Sequence, residues 1–332
     1  MKPRALVAIT PRQRGEIFTT EAIAKLEGIA DLTLHQGSQN MSQEELASMI
    51  EEFHALITCW GSPKVDPEIL GKAPSLKIIA HSAGSVRPYV CKEVFDRGIT
   101  VTNASSAIAV SVAETTIALM LTSLRHLHDQ NQSLRSGQEG RPDFGPVHEL
   151  TGRKVGLVGF GEVGRRVASL LKAFSCEISV YDPHRPSREI EAFGCRTSSL
   201  EDLMKENEIV SLHAPNIPAN RHMIDGGLLA RMKTGALLVN TARGELIDEG
   251  SLLQEVVSGR IAVALDVFEG KATAVAKRLR GVQNAFLTPH IAGMSIEARH
   301  RQGDVVAEDV GLFFAGQRPR NMVTKQMLDW MA

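Results

Sequence analysis

The stretch VGLVGFGEVGRRVASLL, residues 155–171, decides the fold class of this chain. Its apolar start predicts a buried strand, and the spacing of the apolar residues after it predicts an amphipathic helix. Gly159, Gly161 and Gly164 lie in the turn between the two. Glycine is needed there because a Cβ would block the approach of the backbone to a pyrophosphate. A strand, a glycine-rich turn and a helix in this order predict a dinucleotide-binding unit.

The next predicted strand, EISVYD at 177–182, ends in an acid. A carboxylate at Asp182 can accept hydrogen bonds from a ribose diol and repels a 2′-phosphate, so NAD is favoured over NADP. His184 and Arg185 follow directly, and a cation there could tolerate that phosphate. A purely structural glycine turn beside a surface aspartate is the alternative, but the agreement of strand, turn, helix and acid favours the cofactor site.

Short runs rich in valine, isoleucine and leucine recur along the chain with helical intervals between them. This pattern is typical of parallel sheets covered by helices on both faces. Five such runs lie between residues 5 and 104, and six lie between 154 and 290. A helix is predicted at 110–128, and another at 295–316 would return the chain towards the first set. We therefore expect an α/β protein of two domains, one of them a doubly wound parallel sheet.

The bulk composition restricts the class of partner. The 332 residues carry a net charge of −1, which provides no field to attract nucleic acid or an anionic membrane, so a small molecule is the expected partner. The apolar run at the amino end is too short for a signal peptide, and we expect no membrane span and a cytoplasmic location. The four cysteines lie far apart and show neither metal-ligand nor disulfide spacing, so we expect no zinc site and no disulfide. They are Cys59, Cys91, Cys176 and Cys195.

Two side chains with suitable chemistry follow predicted strands. Arg243 lies in VNTARGELID at 239–248, and His290 lies in LTPHIAG at 287–293. Open α/β sheets bind ligands at the carboxyl ends of their strands, where a guanidinium suits a carboxylate and an imidazole can move a proton. Either residue alone could be a surface charge or a satisfied core side chain. Together with the glycine turn, they favour a site for hydride transfer to or from a hydroxy acid.

Residues 152–296 resemble the cofactor domain of the D-isomer-specific 2-hydroxyacid dehydrogenases. The motifs GFGEVG, SLHAP, LLVNTARGELID, ALDVF and LTPHIAGMS occur in the order of that family. The resemblance implies a Rossmann NAD-binding domain at 105–296 and a smaller, flavodoxin-like α/β substrate domain built from 1–104 and 297–332. It also implies a homodimer that interconverts a 2-keto acid and a D-2-hydroxy acid, with NAD as its cofactor.

The same resemblance assigns roles to individual residues. Arg243 would grip the substrate carboxylate, His290 would be the general acid and base, and Asp266 would hold the nicotinamide carboxamide. The cofactor site would be formed by Gly159, Gly161, Glu162, Val163, Gly164, Asp182, His213, Ala214, Pro215, Thr241, Ala242, Asp266 and His290. The substrate would also meet Trp60 and the loop residues Ala83, Gly84 and Ser85, although the family's usual continuation of that loop is replaced by SVRPYV at 85–90.

The largest departure from the family follows the motif DVF. The family pattern continues to a glutamate that pairs with the catalytic histidine, but Lys271 occupies that position here. A carboxylate beside His290 would favour the imidazolium form, and an ammonium would disfavour it. Three interpretations remain open: Glu269 replaces the missing acid as the catalytic partner, Lys271 leaves the histidine to work alone, or the chain is an NAD-binding sensor without catalysis.

Overall fold

The computed structural model describes residues 2–138 and 145–331. The chain divides into two compact units, residues 1–108 with 294–332 and residues 109–293. The sequence prediction set these boundaries between 104 and 105 and between 296 and 297. The first unit is therefore assembled from both ends of the chain, and the second is continuous.

The first 103 residues alternate strands with short helices, most of which begin at a Ser, Thr or Asp that caps the first turn. In chain order the elements are β1 Arg4–Val7, α1 Pro11–Ile17, α2 Thr20–Ile29, β2 Asp31–Leu34, α3 Gln43–Met49, β3 Ala55–Thr58, α4 Pro67–Gly71, β4 Ile78–His81, α5 Glu93–Asp96 and β5 Thr100–Asn103.

The middle of the chain has longer helices and seven further strands. They are α6 Ser105–Arg125, α7 Leu127–Arg135, β6 Lys154–Val158, α8 Glu162–Ala173, β7 Glu177–Tyr181, α9 Ser187–Ala192, β8 Arg196–Thr197, α10 Leu200–Glu206, β9 Ile209–Leu212, α11 Gly226–Arg231, β10 Leu237–Asn240, α12 Glu249–Val257, β11 Ala262–Leu265, α13 Ala272–Arg278 and β12 Ala285–Leu287. The chain then continues through α14 Ile296–Phe314 and β13 Met322–Val323.

The sheet of the first unit has the order β13-β5-β4-β3-β1-β2. Strands β1 to β5 run parallel in the flavodoxin-like order. The sixth strand, β13, pairs antiparallel with β5 at one edge. The strands β3 and β4 are buried at every residue, as the continuous apolar runs predict. The sequence did not predict β13, because two residues are too few to show a strand pattern.

The sheet of the second unit is entirely parallel, with the order β12-β11-β10-β9-β6-β7-β8. The strand order reverses at β6, which is the topological switch point of a Rossmann fold. The predicted fold class is therefore confirmed. The prediction of six strands was one short, since the two-residue β8 adds an edge strand that carries no apolar run.

The helix α6 corrects one sequence expectation. By length and composition it is apolar enough to cross a membrane, contrary to the expectation that no stretch approaches a span. Its residues Ala113, Ile117 and Met120 are buried in a core cluster with Val155 and Phe160. Packing within the fold therefore accounts for the apolar residues on the buried side of this helix, about 44% of its apolar window.

The C-terminal helix α14 returns to the first unit and fixes the strand that follows it. A Cβ at Gly303 would collide with the carbonyl oxygen of Ile17, so α14 and α1 pack at a distance that only glycine permits. The buried carboxylate of Asp309 accepts hydrogen bonds from the Arg320 amide at 2.7 Å and the Asn321 side-chain amide at 3.0 Å. These bonds hold the turn that leads into β13.

A buried histidine lies at the end of β4. The imidazole of His81 is 2.9 Å from the Thr58 hydroxyl, and its ring lies against Tyr89 with the centroids 4.4 Å apart. Burial lowers the pKa of His81 from its usual 6.5 to about 3, because the charged form would lose its hydration. The folded protein therefore keeps this histidine neutral where an unfolded chain binds a proton.

We expect the stability from His81 to be fully present above about pH 6.5. It is lost as the pH falls towards 3, by up to about 1.4 kcal/mol per pH unit. Urea unfolding of the wild type and His81→Gln between pH 7.5 and 5 measures this, and the variant should show a shallower fall. His148→Gln, at an exposed position, is the matched control. Parallel slopes for the wild type and His81→Gln would contradict the assignment.

Candidate active site

The turn between β6 and α8 contains three glycines whose surroundings differ. Gly159 has φ +101°, and a Cβ there would lie 2.7 Å from the carbonyl carbon of His213. A Cβ at Gly164 would collide with the carbonyl oxygen of Gly159. Gly161, by contrast, has no atom within 4 Å of the position its Cβ would take. Two glycines are therefore required by packing, and the third leaves open space.

The open space lies at the amino end of α8. Gly161 is the N-cap of this 12-residue helix and supplies no side chain to bond the free amides of the first turn, at Glu162, Val163 and Gly164. Unbonded amides and the positive end of a helix dipole together favour an anion. This part of the predicted site is arranged to receive a phosphate group.

Asp182 follows β7 beside this turn. Its two carboxylate oxygens each accept one backbone bond, from the Phe160 amide at 2.7 Å and from the His184 amide at 2.9 Å. These bonds fix the direction of the carboxylate and leave lone pairs on both oxygens. The group can therefore accept further hydrogen bonds.

His213 follows β9 on the other side of the glycine turn. Its Nε2 is 3.0 Å from the Ser211 hydroxyl, and its Nδ1 is shielded from solvent without a partner among the described residues. Burial lowers the pKa of His213 to about 3, so the ring is neutral. Ala214 is buried next to it, and Pro215 accepts a hydrogen bond from the side chain of Asn220 at 2.9 Å.

Arg243 is held in position by an asparagine that sequence reasoning missed. Asn240, the last residue of β10, accepts a bond from the Ala242 amide at 3.0 Å and donates to the Arg243 carbonyl at 2.8 Å. The hydroxyl of Thr241 is 2.9 Å from that of Thr116. A strand ending in Asn just before the loop was the available signal, since an Asn side chain commonly bonds the backbone two residues on.

The guanidinium of Arg243 has no ion-pair partner among the described residues. One of its nitrogens donates to the Ala242 carbonyl at 2.7 Å, and in the described parts of the chain it forms no ion pair. Burial lowers the pKa of Arg243, because water is withdrawn from the charged form, and Glu245 acts in the opposite direction. A cation that is poorly hydrated and unpaired favours an incoming anion.

His290 lies in a loop held by Asp266. The Asp266 carboxylate is 0% exposed, and it accepts bonds from the Thr288 hydroxyl at 2.6 Å and from the Ile291 and Ala292 amides at 2.9 Å each. The His290 amide donates to the Asp266 carbonyl at 2.8 Å, and His290 itself has φ +58°. A non-glycine residue in this left-handed region is strained, and such strain is typical of functional loops.

Arg243 and His290 line one cavity of about 320 Å³ in the second unit. The remaining lining residues are Gly244, Glu245, Val267, Phe268, Gly270, Ala272 and Pro289. A Cβ at Gly244 would collide with the Phe268 carbonyl, so the loops after β10 and β11 meet here through backbone. The two side chains that carry the predicted chemistry therefore share a cavity.

Glu269 lies in a different cluster. Its carboxylate is 2.9 Å from His222 Nε2 and also forms an ion pair with Arg221. Within residues 2–138 and 145–331, His290 has no side-chain hydrogen bond or ion pair with Glu269 or with the exposed Lys271. The pairing of Glu269 with His290 stays a prediction, and it would require the carboxylate to leave this cluster.

The predicted substrate-binding residues of the first unit follow β3 and β4. The loop at 83–85 is fixed by the Asn103 side chain, which donates to the Gly84 carbonyl at 2.9 Å, and by Gln302, which donates to the Ser82 carbonyl. Trp60 carries the guanidinium of Arg299 over its ring, 4.4 Å from the centroid. The sequence did not identify Asn103, Gln302 or Arg299, which come from distant parts of the chain.

Comparison with known proteins agrees with this geometry. Residues 117–292 match the family described as D-isomer specific 2-hydroxyacid dehydrogenase, NAD binding domain. The chain is 36% identical over 276 residues to the hydroxypyruvate reductase of Thermotoga maritima, covering 82% of this chain and 89% of that protein. It is 34% identical over 305 residues to the D-3-phosphoglycerate dehydrogenase of Methanocaldococcus jannaschii, covering 91% of this chain but 57% of the longer relative.

A solved structure shows the same architecture. The NADPH-dependent glyoxylate/hydroxypyruvate reductase of Sinorhizobium meliloti, in complex with citrate, superposes with a TM-score of 0.77 at 25% identity, covering 98% of each chain. The relatives named here reduce or oxidise small hydroxy or keto acids, according to their names. The resemblance seen in the sequence motifs is confirmed. This chain belongs to the family of D-isomer specific 2-hydroxyacid dehydrogenases.

Proposed function

We propose that this protein is an NAD-dependent oxidoreductase that interconverts a 2-keto acid and a D-2-hydroxy acid. The observation that supports this activity most directly is the cavity shared by the unpaired guanidinium of Arg243 and the imidazole of His290. An anion receptor and a proton carrier beside each other are the two protein groups that this reaction needs.

The glycine turn fits the dinucleotide. The free space at Gly161 and the open amides of α8 would receive the pyrophosphate, and the fixed carboxylate of Asp182 would accept the ribose hydroxyls. The unpartnered Nδ1 of His213 lies at the same turn, which suits a wall of the cofactor site. When bound, the nicotinamide supplies or takes up the hydride.

Arg243 would bind and orient the acid. Its planar fork can donate two parallel hydrogen bonds to the substrate carboxylate, and its low hydration makes that exchange favourable. The clamp from Asn240 fixes the main chain of Arg243, so the guanidinium is positioned before the substrate arrives. Such pre-organisation lowers the entropic cost of reaching a reactive geometry.

His290 would move the proton. In reduction the carbonyl carbon gains the hydride, and the carbonyl oxygen takes the proton from the imidazolium of His290, giving a hydroxyl. In oxidation the neutral ring takes that proton back. Because the residue is exposed, the ring can exchange its proton with water after each turnover.

A second candidate function is an NAD(H)-binding sensor or interaction protein on the same scaffold. It is favoured by the engagement of Glu269 with Arg221 and His222, which leaves His290 without a carboxylate partner among the described residues. A panel of glyoxylate, pyruvate, hydroxypyruvate and bulkier 2-keto acids with NADH, read at 340 nm across pH, separates the two. Turnover supports the oxidoreductase, and tight NADH binding without turnover on any acid supports the sensor.

The roles of the two cavity residues predict different kinetic losses. His290→Asn should lower kcat by about 10²-fold to 10⁴-fold, because proton transfer is lost, and should leave NADH binding within about twofold. Arg243→Lys keeps the charge but not the fork, so KM should rise and kcat/KM should fall by about tenfold to 100-fold. His148→Asn is the exposed control. A His290→Asn enzyme with the wild-type rate would rule out the proton role.

The open position at Gly161 predicts a change in binding without a change in folding. Gly161→Ala meets no atom within 4 Å, so the free energy of unfolding should stay within about 0.5 kcal/mol. The added methyl would occupy the space for the pyrophosphate, and the Kd for NADH should rise about tenfold or more. Gly28→Ala, also unobstructed but inside α2, should leave the Kd for NADH unchanged and raise the stability by up to about 1 kcal/mol, because alanine favours a helix over glycine. Unaltered NADH binding in Gly161→Ala would place the dinucleotide elsewhere.

The position of Glu269 predicts the outcome of its neutralisation. Its side chain is 24% exposed in the cluster with Arg221 and His222, so Glu269→Gln should cost about 0.5–1 kcal/mol of stability. The pH profile of kcat/KM should be unchanged. His222→Gln, which removes the same pair from the other side, should behave alike. A shifted profile in Glu269→Gln alone would mean that this carboxylate pairs with His290 during turnover.

A further inference from the structure

A single carboxylate next to the cofactor turn lies within ion-pair distance of two arginines. Glu189 lies in the first turn of α9, seven residues after Asp182. Its Oε1 forms an ion pair with Arg165, and it is 3.8 Å from a guanidinium nitrogen of Arg185. The three side chains are 34–37% exposed, so they can be reached by a ligand from solvent.

Phe160 connects Arg165 to Asp182 through hydrogen bonds of its main chain. The Nε of Arg165 donates to the Phe160 carbonyl at 3.2 Å, and its guanidinium lies 5.5 Å from the centroid of the Phe160 ring. The Phe160 amide in turn donates to Asp182 at 2.7 Å. Arg165 is thus anchored through its Nε to the glycine turn, and its Nη2 is directed to Glu189.

The charge balance at this edge depends on Glu189. Arg165 and Arg185 against Asp182 alone would leave a positive excess, which would attract a phosphate on the ribose. Glu189 cancels that excess and occupies the Nη2 donor of Arg165. The neighbouring His184 and Arg188 are exposed and extend into water, where their charge is screened.

We propose that Glu189 determines the choice of dinucleotide by withholding Arg165 and Arg185 from the 2′-phosphate of NADP. This proposal rests on the proposed function of the glycine turn as a nicotinamide dinucleotide site. A 2′-hydroxyl can bond Asp182 without competing for either arginine. A 2′-phosphate would have to break the Glu189 pairs first while facing the Asp182 charge. The wild type should therefore bind NADH more tightly than NADPH.

Binding measurements on the intact protein test this directly. Titration calorimetry gives the Kd of NADH, NADPH, ADP and adenosine 2′,5′-bisphosphate for the wild type and for Glu189→Gln. The variant should bind NADPH and the bisphosphate about fivefold to tenfold more tightly, with NADH and ADP within about twofold. Glu191→Gln, an exposed acid on the same helix, is the matched control and should change none of the four.

Two further variants test whether the released arginines cause the gain in affinity. Arg165→Gln and Arg185→Gln added together to Glu189→Gln should abolish most of the gain for the bisphosphate, because both released cations are gone. Glu189→Ala should repeat the gain without the amide that Gln introduces. Circular dichroism and thermal unfolding establish that each variant is folded.

Several results would overturn the proposal. One is a wild type that binds the bisphosphate as tightly as Glu189→Gln does, and another is a gain that survives the loss of both Arg165 and Arg185. Failure to bind any of the four nucleotides would overturn both this proposal and the proposed function. Nucleotide discrimination that follows Glu189, combined with no turnover of any keto acid, would support the proposal and overturn the catalytic activity alone.

Discussion

The arrangement of the site depends on one buried carboxylate. Asp266 directly follows β11 and is not exposed to solvent. Its carboxylate accepts hydrogen bonds from the loop 288–292, and its carbonyl accepts one from the His290 amide. A buried charge without such bonds would be costly, so the loop cannot relax without leaving Asp266 unsatisfied. The left-handed backbone of His290 is maintained by this constraint. The main chain of His290 is thus positioned by Asp266 at the end of the sheet.

Close backbone approaches extend the same constraint to the neighbouring strand ends. Gly244 meets the backbone of Phe268, and Gly159 meets the backbone of His213. These contacts join the loops in two pairs, after β10 and β11 and after β6 and β9, through main-chain atoms, which have few alternative conformations. A site formed in this way keeps its shape while its side chains vary. This accounts for the intact cavity next to a segment, 269–272, that departs from the family.

The sequence was informative wherever local pattern decides structure. Periodicity and the glycine turn were enough for both sheets and for the cofactor unit, and strand ends placed Arg243 and His290 at one edge. The partner of Glu269 could not be read, because His222 is 47 residues away and joins it only through the fold. The anchors Asn103 and Gln302 escaped notice for the same reason. The two-residue strands β8 and β13 owe their existence to neighbours and not to their own residues.

The discontinuity of the first unit affects the order in which the chain can fold. Its sheet lacks β13 and its helical layer lacks α14 until residues beyond 293 have been synthesised. The second unit, by contrast, is complete once residue 293 has left the ribosome. Domains fold as units when their contacts are available. The second unit is therefore expected to fold first during translation. The amino-terminal strands would stay partly exposed until α14 is synthesised, and they would be prone to aggregation if synthesis stalled before that point.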